Sequence, residues 1–216
     1  ALELVTALAV RHPRAHLTLW GEPGPRVRPR LEGLGITVVP GRVVGIEEGR
    51  AWSAHEEHGH DVAVWCAGFE PVRIEGLGPV GADGRLALDP FLQWRPGWFV
   101  AGDLGCPPVP HRMGCVTALP MGAHAAGNIT RFLEDRPLQP FGFTDIVTCT
   151  DLGGGHGLAQ VHGRDLVFGG RTGGLLKAAI LGYVRTVLAA ERTVRQPLYR
   201  WAQPAVALEV ADGHRS

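Results

Sequence analysis

Asp103 stands where a carboxylate can do chemistry. It follows Gly102 at the end of the run Trp98-Phe99-Val100-Ala101, and a helical pattern opens a dozen residues later at Cys115-Val116-Thr117-Ala118. Three successive apolar residues with a β-branched valine predict a buried strand. A strand that ends in glycine lets a ligand approach the backbone closely, and the aspartate after it offers two acceptor oxygens to ligand hydroxyls. A helix start nearby adds free N–H donors and a partial positive charge. This combination suits a ligand with a hydroxylated chain at one end and an electron-rich or anionic ring at the other.

Two more stretches flank it. Upstream lies Val62-Ala63-Val64-Trp65-Cys66-Ala67-Gly68-Phe69-Glu70-Pro71, and downstream lies Thr117-Ala118-Leu119-Pro120-Met121-Gly122-Ala123-His124-Ala125-Ala126-Gly127-Asn128-Ile129. The ordered trio resembles the FAD/NAD(P)-dependent pyridine nucleotide-disulphide oxidoreductase superfamily and, within it, the single-subunit type II NADH dehydrogenases. The resemblance spans residues 1–170 and thins beyond.

The resemblance implies two cofactors, FAD and NAD(P)H, and a hydride passed from the nicotinamide to the flavin and on to an acceptor such as a quinone. It implies that Asp103, after Gly102, holds a ribityl hydroxyl. It places backbone N–H groups near Thr117 and Ala118 at the pyrimidine edge of the flavin ring. Gly68 closes the strand beside which the chain crosses between domains. The run Leu2-Glu3-Leu4 matches the segment after the family's first glycine loop, where the glutamate lies near the nicotinamide; an ordinary solvent-facing helix glutamate is the other reading of Glu3. The sequence departs from the family after the loop at 107–114. Leu119-Pro120-Met121-Gly122-Ala123-His124 stands where the type II enzymes carry glutamines near the quinone, so the acceptor stays open.

These residues need elements to position them. Leu2, Val5, Leu8 and Ala9 recur at helical spacing up to His12-Pro13, where proline stops the helix. His16–Trp20 then reads as a strand and Val27–Leu34 as a short helix with Gly35 past its end. Helix then buried strand is the second half of a dinucleotide-binding unit. Glu22 is placed a little late for the carboxylate that binds an adenine ribose. Arg26, Arg28 and Arg30 suit a 2′-phosphate or a solvated helix start, so NAD and NADP both remain open.

Ile36–Val39 is a further strand, and residues 42–46, 51–54 and 61–65 predict an antiparallel meander. Its turn, His55-Glu56-Glu57-His58-Gly59-His60, has metal-binding residue types and equally the composition of a polar hairpin tip. Strands are predicted at 146–150, 157–161 and 165–168. The Gly153-Gly154-Gly155 run between the first two is a hairpin turn with no helix after it, and so no phosphate loop. Residues 175–192 predict an amphipathic helix carrying Lys177, Arg185 and Arg192 against one acid, Glu191. Such a helix serves for docking on a membrane surface or, alternatively, for a core or homodimer contact.

The expected fold class is α/β. A partial Rossmann-like NAD(P)-binding domain with a β-meander covers 1–83, the second half of an FAD-binding domain 84–140, and a small β-rich region with an amphipathic helix 141–216. Composition agrees: 45% hydrophobic, with 31 glycines and 17 prolines, is a turn-rich globular chain. Twenty-one basic and 21 acidic residues cancel, so no global field draws the chain to nucleic acid. Four cysteines without metal or disulfide spacing point to a reducing cytoplasm. No apolar run reaches the roughly 18 residues of a membrane span, so any membrane contact is expected to be peripheral, on the inner face of the cell membrane. The chain opens inside a helical pattern and reads as a fragment, with a Gly-x-Gly-x-x-Gly expected just before Ala1. Two other functions fit: a non-catalytic interaction module, and a reductase of a small redox protein.

Overall fold

The computed structural model describes residues 1–66, 68, 70–71, 74–77, 81, 83–161 and 166–194. In chain order the elements are α1 (Leu2–Arg11), β1 (Thr18–Trp20), α2 (Arg28–Gly33), β2 (Thr37–Val39), β3 (Gly45–Glu47), β4 (Arg50–Trp52) and β5 (Glu57–Gly59). Then come β6 (Leu86–Ala87), β7 (Gln93–Arg95), β8 (Trp98–Phe99), β9 (Gly105–Cys106) and α3 (Cys115–Leu133). The chain closes with β10 (Val147–Asp151), β11 (Gly157–Val161), β12 (Leu166–Phe168) and α4 (Gly170–Val194). The protein is thus mixed helix and strand, with sheets of two or three strands each. It divides into two compact units: 1–68 with 147–181, and 69–146 with 182–216.

In the first unit β1, α2 and β2 form a short crossover in which β1 and β2 pair in parallel, Leu19 opposite Val38. The end of α2 follows from Gly35. At φ +72 it lets its own N–H reach Glu32 O at 2.9 Å and the Ile36 N–H reach Leu31 O at 3.0 Å, which satisfies two terminal carbonyls. Val5, Ala9, Val27, Leu31, Ile36 and Leu152 bury together. Leu31 is fully enclosed, a burial that contributes about 2 kcal/mol. Leu152 comes from the turn between β10 and β11, so that hairpin completes the α1–α2 core. Its turn must come close to α1: a Cβ on Gly153 would stand 2.8 Å from the Thr6 carbonyl oxygen. This contact and a φ of +72 account for a glycine there.

β3, β4 and β5 form the expected antiparallel meander, but its third strand is Glu57–Gly59. Residues 61–65 lie outside any strand, and Val62, Val64 and Trp65 are exposed, Val62 to 80%. Cys66 is likewise exposed. Alternation of apolar residues describes a strand only if a neighbouring strand accepts its hydrogen bonds, and none does so here among the described residues. Ala67 and Phe69 of the same motif lie outside the described residues, as do Asp165 at the start of the last predicted strand and the tail beyond residue 194.

In the second unit β6 and β9 pair in parallel, Leu86 opposite Gly105, and β7 and β8 form an antiparallel hairpin. The run at 98–101, expected as a buried strand, is strand only at Trp98–Phe99, and Trp98 is 59% exposed. Hairpin geometry explains this: with two strands, only one face can rest on the core. Leu86, Leu88, Leu92, Met121, Phe141 and Phe143 make that core, with Phe99 and Val100 at its margin. Asn128, 1% exposed, crosses it. Its amide donates to Phe91 O at 3.0 Å and Gln139 O at 2.9 Å, and its oxygen accepts the Gln139 N–H at 2.9 Å.

α4 is longer than its predicted 175–192. Among the described residues it is the helix long and apolar enough to cross a membrane by length and composition, with a mean hydropathy of 1.3. Leu176, Ile180, Val184 and Val187 are half-buried at helical spacing, while Leu175, Leu181 and Leu188 face solvent.

Candidate functional site

In the second unit the chain leaves β8, passes Val100 and Ala101, and turns at Gly102–Leu104 into β9. Gly102 makes that turn with φ +86, a conformation costing other residues about 1 kcal/mol or more. The Gly105 N–H closes it on Gly102 O at 3.0 Å. The turn leaves Asp103 exposed. Its Oδ1 accepts the Gly114 N–H at 2.7 Å, and Oδ2 has no partner among the described residues.

Gly114 is the residue before α3, and its own carbonyl accepts the N–H groups of Thr117 at 3.1 Å and Ala118 at 3.0 Å. Among the described residues no side chain caps this helix, and no acid stands in its first turn. Among the described residues the donors left open are therefore the N–H groups of Cys115 and Val116, two residues before the expected Thr117 and Ala118. Thr117 is buried, and its hydroxyl donates to Arg112 O at 2.7 Å, which pins the loop to the helix. Ala118 faces the turn: a Cβ on Gly102 would stand 3.9 Å from its methyl. Gly102, Asp103, Thr117 and Ala118 thus gather at one place. It pairs an exposed carboxylate oxygen with an open helix start, an arrangement able to accept from hydroxyls and to donate to an electron-rich ring.

The loop that joins them is fastened elsewhere. Arg112 pairs with Asp145 at 2.7 Å. His111 Nε2 meets the Arg85 guanidinium at 2.7 Å and Nδ1 meets Val109 O at 2.8 Å, while Arg85 also binds Asp83. In that bonding pattern the ring nitrogen facing Arg85 is the acceptor and the one facing Val109 O carries the proton. His124 is held by Gln139 O at 2.8 Å and packs edge-on to Phe141 at 5.4 Å, a packing position.

The first unit carries the other predicted residues. Glu22 is exposed, two residues past β1. Arg30 is engaged by the hairpin turn: its guanidinium donates to Leu152 O at 3.2 Å and Gly153 O at 2.9 Å. Gly68, φ +85, is exposed at the end of the unpaired segment. Glu3, in the first turn of α1, accepts the Asp151 N–H at 2.9 Å and the Lys177 ammonium, both on Oε1. Burial pushes its carboxyl up, but the Lys177 hydrogen bond, the Asp151 N–H and the Lys177 charge outweigh that and hold it below the ordinary glutamate value.

The chain matches no protein-family model and no curated protein.

The site therefore rests on its own geometry. Among the described residues no three His, Cys, Asp or Glu side chains converge to hold a metal, the His55–His60 turn included. Lys177 and Gly114 escaped sequence reasoning. Gly114 had a signal, a glycine just before a helical pattern, whereas Lys177 lies 174 residues from its partner, beyond any local pattern.

Proposed function

We propose that the chain carries the flavin-facing turn and the nicotinamide-facing helix of a flavin-dependent NAD(P)H oxidoreductase. The observation that carries the proposal is the Asp103–Gly114 bond, which leaves one carboxylate oxygen open beside an uncapped helix start. Those groups fit FAD: Oδ2 of Asp103 would accept from the sugar-alcohol chain, and the Cys115 and Val116 N–H groups would donate to the ring edge. A helix start there favours the reduced, anionic ring and so tunes its potential. When bound, the flavin supplies the site that accepts a hydride from NAD(P)H and passes electrons to an acceptor such as a quinone. No side chain of this chain is required as a general base.

The Rossmann-like reading of the first unit is part of the proposal, and its support is the parallel β1–α2–β2 crossover. Engagement of Arg30 by two backbone carbonyls favours NAD over NADP. The exposed Leu175, Leu181 and Leu188 of α4, with Arg171, Arg185 and Arg192, support a cytoplasmic protein resting on the inner membrane face. Adding FAD to the purified chain tests the central claim. Uptake with flavin bands at a fixed ratio supports it, and a chain that stays colourless overturns it. NADH oxidation with a quinone, against a ferredoxin-type acceptor, then assigns the acceptor.

A second reading, an interaction module that binds no dinucleotide, is favoured by the unpaired Val62, Val64 and Trp65. Colourless chain that self-associates or captures a strand at that segment would support it.

A further inference from the structure

The loop between β9 and α3 is fastened at His111 by a pattern that only one charge state of the ring can make. A guanidinium has donors and no acceptor, and a carbonyl oxygen only accepts. Arg85 Nη1 stands 2.7 Å from Nε2, and Val109 O stands 2.8 Å from Nδ1. Nε2 is therefore bare and Nδ1 carries the hydrogen, which is the neutral Nδ1–H tautomer. A second proton has one place to go, Nε2, where it meets the donor hydrogens of a cation. It removes the acceptor and sets two positive charges against each other.

Arg85 is itself held in place. Its side chain is 17% exposed, its Nε donates to Asp83 Oδ2 at 2.7 Å, and its main-chain N–H donates to Asp83 Oδ1 at 3.1 Å. The next residue, Leu86, opens β6 and is fully buried. The N–H and the guanidinium of Arg85 hold the Asp83 carboxyl below its ordinary value, so that pair stays charged where imidazoles titrate. Along the loop, Arg112 and Asp145 pair with each other, and Asp103 takes the Gly114 N–H. The thiols of Cys106 and Cys115 stand at the two ends of the loop. Pro107, Pro108 and Pro110 bring no main-chain donors, so side-chain bonds carry much of the loop's attachment.

We infer that His111 is a pH-operated latch on the loop at 107–114. Neutral, it ties the loop to Arg85. Protonated, it releases Arg85 and loosens the segment whose Gly114 N–H anchors Asp103. Imidazole is the side chain whose charge changes between about pH 5 and 8, so the latch responds across that range. The Asp103 carboxylate is held in one orientation above it and loses its anchor below it. The latch rests on geometry alone; its effect on FAD uptake rests on the flavin reading above.

The test uses the full 216-residue chain, labelled with ¹⁵N in the main chain and the histidine rings. It compares the two ends of the range, about pH 8 and about pH 5. At the upper pH the His111 ring should show the Nδ1–H tautomer. On going to the lower pH, the exchange protection factor of the Gly114 N–H should fall about tenfold or more, the factor for losing one hydrogen bond to a charged donor. His111→Gln offers Arg85 an amide oxygen that does not titrate, and it should keep the high protection factor at both pH values. Arg85→Met should show the low factor at both. Circular dichroism confirms that each variant is folded. An Nε2–H tautomer in the wild type at the upper pH overturns the latch. So does a Gly114 response that is equal in wild type and His111→Gln. Added FAD separates this inference from the flavin reading. A latch response in a chain that stays colourless overturns the flavoprotein reading alone, and FAD bound equally well at both pH values overturns the latch's control of the site.

Discussion

The Asp103 carboxylate and the Gly114 N–H, eleven residues apart, share a 2.7 Å hydrogen bond. It closes the loop between the turn after β8 and the start of α3, and it uses only one of the two aspartate oxygens. A carboxylate that is both anchored and half free is already oriented before a ligand arrives, which saves the entropy of fixing it.

Substitutions at position 103 separate those two uses. Asp103→Asn keeps an oxygen for the Gly114 N–H but loses the charge; it should fold normally and take up FAD roughly tenfold less tightly, read by flavin fluorescence. Asp103→Ala loses both, with a weaker uptake still and about 1 kcal/mol less stability in urea. Equal FAD affinity across wild type and both variants would refute the assignment.

Asn128 holds the second unit together without any place in the site. It makes three hydrogen bonds inside an apolar core. Asn128→Leu strands the Gln139 N–H and the Phe91 carbonyl, while Gln139 O keeps His124, and should cost about 2–3 kcal/mol. Thermal unfolding should report this as a clear fall in Tm.

Arg30 tests the choice of nicotinamide cofactor. Because its guanidinium binds Leu152 O and Gly153 O, Arg30→Ala should destabilise the first unit by about 1–2 kcal/mol and leave the ratio of NADH to NADPH affinity unchanged. A selective loss of NADPH binding would show that the arginine faces the ribose after all.

The Glu3–Lys177 pair makes stability depend on acid. The Glu3 carboxyl is depressed in the folded chain relative to 4.5. Such a group contributes stability that is fully present above the unfolded value and is lost as pH falls through the lower folded value. Glu3→Gln should therefore be less stable than wild type near neutrality, and the gap should close as the pH falls from 4.5 through the lower folded value. The contribution is small, because the glutamate side chain is half exposed. Urea unfolding at a series of pH values checks it.

Helix and hairpin positions were legible in the residues. The apolar spacing of Leu2, Val5 and Ala9, the proline at 13, the glycine at 35 and the three-glycine turn at 153–155 each set a local preference, and α1, β1, α2, β2, β10 and β11 stand close to where those preferences put them. Gly102 and Asp103 also stand at a turn, as their types suggest. The third meander strand was misplaced. Val62-Ala63-Val64-Trp65 alternates as a strand should, but Glu57–Gly59 holds the place beside β4.

The sequence alone determined which short segments turn, coil or extend, because those preferences are settled among residues three or four apart. Tertiary structure alone decided that Trp98 stays exposed, that Arg30 serves the hairpin turn, and that Lys177 reaches Glu3 across 174 positions. Those outcomes depend on which segments share a core, and a contact between distant residues leaves no mark on the spacing of either one.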